Sequence, residues 1–169
     1  MFEKYISSGP ENYKDRINIK CVSLEYDGYF ETQDAAMVND YNEEPKRMPP
    51  FNDDFDIKEM TKKANEKDFQ ISIKTVGDRA LTQTINSIES VNKEVKSKAG
   101  RMRLEYLEFV TPADMQRIKQ MEIIPSVRPE VTLSDKLLLN EIIKPENGQN
   151  LGLWSTLFKQ NNMIISGTD

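Results

Sequence analysis

The chain has 169 residues, 37% hydrophobic and 30% charged, with a formal net charge of -5. That length suits one domain with a substantial core, and basic residues interleaved among acidic ones leave no cationic stripe for a phosphate backbone, which argues against a nucleic-acid partner. A single cysteine and no histidine exclude an internal disulfide and a multi-cysteine metal cage, and remove the commonest metal ligand and general base.

Met1 to Ser8 shows no basic segment followed by an apolar one, so no secretory signal is expected and the cytoplasm is the expected location. Apolar runs such as Lys136 to Leu139 and Met163 to Ile165 fall far short of the roughly 20 residues a membrane span needs. Five segments read as strands: Ile17 to Leu24, Phe69 to Thr75, Arg103 to Phe109, Ile123 to Val127 and Met163 to Ser166. Helical patterns fall between most of them, which predicts an α/β fold with repeated strand and helix units around a mostly parallel sheet.

After the first strand, Asp27 to about Asp54 holds Pro45, Pro49 and Pro50 with no sustained period, and reads as a loop. Its length exceeds the roughly 12 to 15 residues of an ordinary structureless connection, so a lid, an unfolded insertion or a contact surface are its three readings. The carboxylates Glu25, Asp27, Glu31 and Asp34 lack calcium-loop spacing and read as solvated loop charge. On the second strand Phe69, Ile71 and Ile73 share one face, while Gln70, Ser72 and Lys74 share the other.

Gly77-Asp78 then predicts a strand-to-helix turn with Asp78 as N-cap, and Leu81, Ile85, Ile88, Val91 and Val95 form one apolar stripe behind it. On the third strand Arg103 and Glu105 read as a structural ion pair, and Tyr106 as a packed residue. Thr111-Pro112-Ala113-Asp114 opens another helix, with Thr as cap and Pro in the first turn. Arg128 to Ser134, carrying Pro129, reads as a second loop, and Leu151, Trp154, Leu157 and Phe158 suggest a last helix with Trp154 in the core.

Val22 to Gly28 continuing through Asp34-Ala-Ala-Met37, Ile73-Lys-Thr-Val-Gly-Asp-Arg-Ala80, Arg101-Met-Arg-Leu-Glu-Tyr106 and Ile165-Ser-Gly-Thr-Asp169 resemble, in order, motifs of the metal-dependent amidohydrolases of the third amidohydrolase group. Pro125-Ser-Val-Arg-Pro129 adds a fifth match, and the five together run along nearly the whole chain. The resemblance implies a partial TIM-type (β/α) barrel: one amidohydrolase-like domain over residues 1–169, its strands the fourth to the eighth, with chemistry at their C-terminal ends. It implies zinc or another divalent metal as cofactor and carbon-nitrogen bonds other than peptide bonds as substrates. By the same resemblance a carboxylatable lysine falls at Ser23, ligand histidines at Lys74 and Tyr106, and a catalytic aspartate at Asp169. Only Asp169 keeps the family's residue, and the histidine pair of the family's first strand has no counterpart within these residues.

The expectation is therefore a degenerate relative without a metal cofactor, in which Lys74 pairs with a carboxylate such as Asp169 and supplies the positive charge a metal once gave. Two alternatives stay open: an enzyme completed by a second chain, and an interaction module using the loop at 27–54. Five strands also imply two open sheet edges, to be covered by self-association or by a complementary chain.

Overall fold

The computed structural model of the protein describes residues 6–42, 54–95, 102–160 and 163–167. A short antiparallel hairpin, β1 (Glu11–Tyr13) with β2 (Ile17–Ile19), leads into β3 (Cys21–Glu25). The predicted strand from Ile17 to Leu24 is thus two elements. All of β2 is exposed, whereas β3 buries Leu24 and enters the main sheet, so the chain changes partner at Lys20.

The rest alternates as the periodicity predicts: α1 (Asp54–Glu66), β4 (Gln70–Thr75), α2 (Asp78–Glu94), β5 (Arg103–Tyr106), α3 (Pro112–Gln120), β6 (Ile124–Val127), α4 (Pro129–Ile142), α5 (Trp154–Gln160) and β7 (Ile165–Ser166). The five strands from β3 to β7 lie side by side in chain order and all run parallel, the arrangement of a partial TIM-type barrel. Parallel neighbours require a crossover between them, and the amphipathic helices supply it.

Helix α2 turns Leu81, Ile85 and Ile88 onto the sheet, where they join Ile71, Ile73 and Leu104 in the main core, and buries Val91 on the same stripe. Each such side chain contributes about 1.5 to 3 kcal/mol when fully buried. Thr111 caps α3 as expected, its hydroxyl accepting the Asp114 N–H at 3.1 Å, with Pro112 in the first turn. Among the described residues no helix is long and apolar enough to cross a membrane.

Three expectations change in detail. Residues 128–134 are not a loop, because Pro129 occupies the first turn of α4, where its missing N–H costs nothing. Phe158 is 66% exposed, while Leu157 carries the buried face of α5 and Trp154 is packed, partly buried, against the core. In the long connection the solvated-charge reading of Asp27 fails, for Asp27 is wholly buried with Phe30, Ala35, Ala36, Met37 and Tyr41, while Glu31 and residues 38–40 are exposed; residues 43–53 lie outside the described residues.

The turn from β4 into α2 also differs from expectation. Gly77 is the N-cap residue and Asp78 the first helical one, its carboxylate accepting the N–H of Arg79 at 2.9 Å and of Val38 at 2.8 Å. A side chain at 77 has no room, since a Cβ there would lie 2.3 Å from the Ala36 carbonyl oxygen and 2.6 Å from its carbon. Both obstacles are backbone and cannot rotate away. Gly77→Ala is expected to destabilise by about 3 kcal/mol, read as a lower midpoint in a urea titration; an unchanged midpoint would show that the two segments separate easily.

Candidate functional site

A second buried cluster, Phe30, Met37, Tyr41, Val76, Tyr106 and Phe109 among others, covers the C-terminal ends of the strands. It is built on Asp27. One carboxylate oxygen accepts the Val76 N–H and the other the N–H groups of Ala36 and Gly77, each at 2.9 Å. These donors belong to two chain segments, so one side chain fastens the 27–37 loop to the end of β4. Burial pushes the Asp27 carboxyl up to about 6, against the opposing pull of the three N–H groups and of Lys74.

Lys74 lies on the face of β4 opposite the core residues Ile71 and Ile73, with its side chain only 7% exposed. Its ammonium nitrogen is 4.1 Å from the ring centre of Tyr29, 5.5 Å from that of Tyr106 and 3.4 Å from a carboxylate oxygen of Glu25. The Tyr106 ring meets a second cation on its own account, the Arg128 guanidinium carbon at 4.0 Å. Tyr29 and Tyr106 pack edge to face with centroids 5.7 Å apart and hydroxyls 3.3 Å apart. Burial and the Tyr29 hydroxyl push the Tyr106 phenol well above its ordinary range. The cluster is thus a cation held by aromatic faces, which attract it through their quadrupoles.

Strand register relates the other positions to Lys74. Ser23 pairs with Ser72 and Glu25 with Lys74, so Ser23 lies on the same face one side-chain step below and is exposed. Tyr106 is level with Thr75, at the strand end. Asp169 lies outside the described residues. Arg103 and Glu105 form the expected ion pair at 3.1 Å, and Glu105 also accepts the Ser72 hydroxyl at 2.7 Å. The partners found for Lys74 are therefore Glu25 and two tyrosines. Tyr29 and Arg128 were not singled out in the sequence because each lies in a connection with no period to mark its direction.

The backbone at Tyr106 is unusual. Tyr106 has φ of 74° and Leu107 φ of 48°, and the Leu107 N–H reaches both the Glu105 and Thr75 carbonyls at 3.1 Å. The bond to Glu105 closes a γ-turn around a left-handed residue, a conformation costing on the order of 1 to 3 kcal/mol for a side-chain-bearing residue. It ends β5 three residues before the predicted end at Phe109 and swings Glu108 inward to complete burial.

A parallel strand-and-helix sheet with a polar cluster at its C-terminal edge defines the class of (β/α) barrel proteins, which place their sites at that edge. Within that class the chain belongs to the Amidohydrolase family, which it matches over residues 2–169. It is 23% identical over 145 residues to Protein LONG AFTER FAR-RED 3 of Arabidopsis thaliana, covering 85% of this chain and 25% of that protein. It is 22% identical over 144 residues to YtcJ of Bacillus subtilis (strain 168), named as an amidohydrolase, covering 85% of this chain and 27% of the other. Crystal structures of uncharacterized metal-dependent hydrolases from Pyrococcus furiosus and Pyrococcus horikoshii OT3 superpose with TM-scores of 0.85 and 0.84 at 19% and 22% identity. Each covers 99% of this chain, which spans 34% and 33% of theirs. The chain thus spans about a quarter of the curated relatives and a third of the structural ones.

Two outcomes follow from the geometry. Asp27→Ala leaves three backbone donors without their acceptor and is expected to lose about 3 kcal/mol or more in a denaturant titration, with Asp27→Asn intermediate. Lys74→Met is expected to change stability by less than about 1 kcal/mol, because Glu25 is 65% exposed and a thioether also packs well on aromatic rings. A loss of several kcal/mol would reveal a buried partner for the ammonium.

Proposed function

We propose that this chain is an amidohydrolase-family protein that does not hydrolyse carbon-nitrogen bonds through a metal, because a lysine-centred cluster stands where the family's metal centre is expected. The observation carrying this reading is the position of Lys74: its ammonium is enclosed by Tyr29, Tyr106 and Glu25 at the strand position that the resemblance assigns to a ligand histidine.

The donor set does not fit a divalent metal. A hydroxyl at Ser23, an ammonium at Lys74 and a phenol at Tyr106 replace the nitrogen and carboxylate donors a catalytic zinc uses. No group of three or more His, Cys, Asp or Glu side chains able to hold an ion occurs among the described residues. Charge opposes a metal as well. Two unit charges 4 Å apart repel by about 4 kcal/mol at an effective dielectric near 20, and a divalent ion by about twice that. The smaller figure alone corresponds to about a thousandfold in affinity.

A second reading rests on the open sheet. Among the described strands β3 and β7 each have a neighbour on one side only, and exposed strand edges are normally covered. A complementary chain, a second copy or further residues of a longer polypeptide would cover them. Any of these could complete a barrel while leaving Lys74 in place, so the enzymatic alternative needs a metal-free mechanism or another ligand set. The cytoplasmic location and the absence of nucleic-acid partners remain part of this reading, the second supported by the interleaved charges.

The test is elemental analysis of protein purified from zinc-supplemented medium, together with hydrolysis assays on N-acyl and formamide substrates. The expected result is substoichiometric metal and no chelator-sensitive turnover. One tightly held metal per chain, with activity abolished by Asp169→Asn, would overturn the proposal.

A further inference from the structure

Glu108 is the most deeply buried carboxyl the lysine cluster leaves unused. It has no exposed surface, and neither carboxyl oxygen has a hydrogen-bond donor among the protein groups. Its neighbour is Asp135 on α4, 2% exposed, whose Oδ2 is likewise without a donor. Two buried carboxylates in contact repel each other and lose their hydration, which together cost several kcal/mol, so one of them must carry a proton.

We propose that Glu108 carries this proton at neutral pH and donates it to Asp135, and that the resulting carboxyl pair fastens α4 to the C-terminal end of the sheet, so that alkali releases the helix.

The packing of α4 makes this contact matter. Its buried residues are Thr132, Asp135 and Ile142, two of them polar, while Leu133 is 61% and Leu137 84% exposed. Most helices are held by an apolar stripe; here Leu139 and Ile142 pack on the second cluster at the C-terminal end, while the first turns present Thr132 and Asp135 inward and Leu133 and Leu137 outward. The γ-turn at Tyr106 is what swings Glu108 into range, and the Glu108 carbonyl accepts the Gly152 N–H at 2.8 Å, fixing the backbone on the other side.

The ionisable groups acting on the Glu108–Asp135 pair are Asp27 and Glu31 in the loop after β3, and Tyr106 at the end of β5, with Arg128 at the start of α4 stacked on the Tyr106 ring. Two of these are further carboxyls, which disfavour a second negative charge. Burial, and then Asp135, push the Glu108 carboxyl up to about 10. Because this folded value is raised, the stabilisation is complete below the unfolded value of about 4.3, declines as pH rises through the interval, and is lost once pH passes about 10.

Trp154, the one tryptophan of the chain, reports on the helix. A Cβ built at Gly152 would lie 3.3 Å from Thr132 of α4 and 3.9 Å from the Trp154 ring, so Gly152 sits against both. The experiment is acrylamide quenching of Trp154 fluorescence from about pH 6 to about pH 10.5, in the protein and in Glu108→Gln. The glutamine keeps a donor toward Asp135 and cannot ionise, and the variant has the same tyrosines, so tyrosinate quenching cancels in the comparison. The protein should become severalfold more quenchable with a midpoint near 10, and Glu108→Gln should not. Quenching that stays flat in the protein, or rises equally in both, would overturn the proposal. Should Glu108→Gln fail to fold, Asp135→Asn serves, since removing the like charge should move the midpoint down, and an unmoved midpoint counts against the pair. Calcium or magnesium added at neutral pH should leave quenching unchanged, and a saturable one-to-one effect would make the pair a cation site instead.

Discussion

The structure turns on the Asp27 carboxylate. Three backbone N–H groups from two segments converge on its two oxygens, so the loop after β3 and the end of β4 are fixed to each other through one side chain. Gly77 completes the constraint by letting the Ala36 carbonyl approach closer than any Cβ allows. With the loop held there, Phe30 and Tyr41 roof the strand ends and Tyr29 reaches over Lys74. A buried carboxylate is expensive to desolvate, and here that cost is offset by donors that would otherwise be buried without acceptors.

The lysine cluster is best understood against the charge such a site needs. In a metal-dependent hydrolase a cation lowers the pKa of a bound water and polarises the substrate. An ammonium supplies one positive charge and no coordination position for water, so it can stand for the electrostatics of a metal without its chemistry. Stacking on two tyrosines keeps that charge in place while Glu25, largely exposed, contributes little. The strained turn at Tyr106 sets the position of its ring, 5.5 Å from the ammonium.

Helix α4 shows how local and global preferences can separate. Its first turn follows ordinary helix chemistry, with Pro129 at the start and Glu130 near the positive end of the dipole. Its attachment follows the amphipathic rule only in part, since Leu139 and Ile142 pack on the second cluster while Thr132 and Asp135 face inward and Leu133 and Leu137 outward. Departures of this kind concentrate at functional or strained sites, and this helix borders both the γ-turn and the cluster.

Much of the fold could be read from residue order alone. Alternating apolar strands and amphipathic stretches gave five parallel strands, and the stripe from Leu81 to Val91 and the Thr111 cap located two helices, because these signals are local and periodic. The motif matches named the family, and the residue types at Ser23, Lys74 and Tyr106, placed by that resemblance, carry the proposal of a site without a metal. What the chain order could not carry was anything set by contacts between distant segments. Asp27 read as loop charge because its three donors lie up to 50 positions away; Glu108 read as a strand residue because a γ-turn leaves no period; Tyr29 and Arg128 reach the cluster from connections. Direction in a loop is decided by packing, and packing exists only once the sheet has formed.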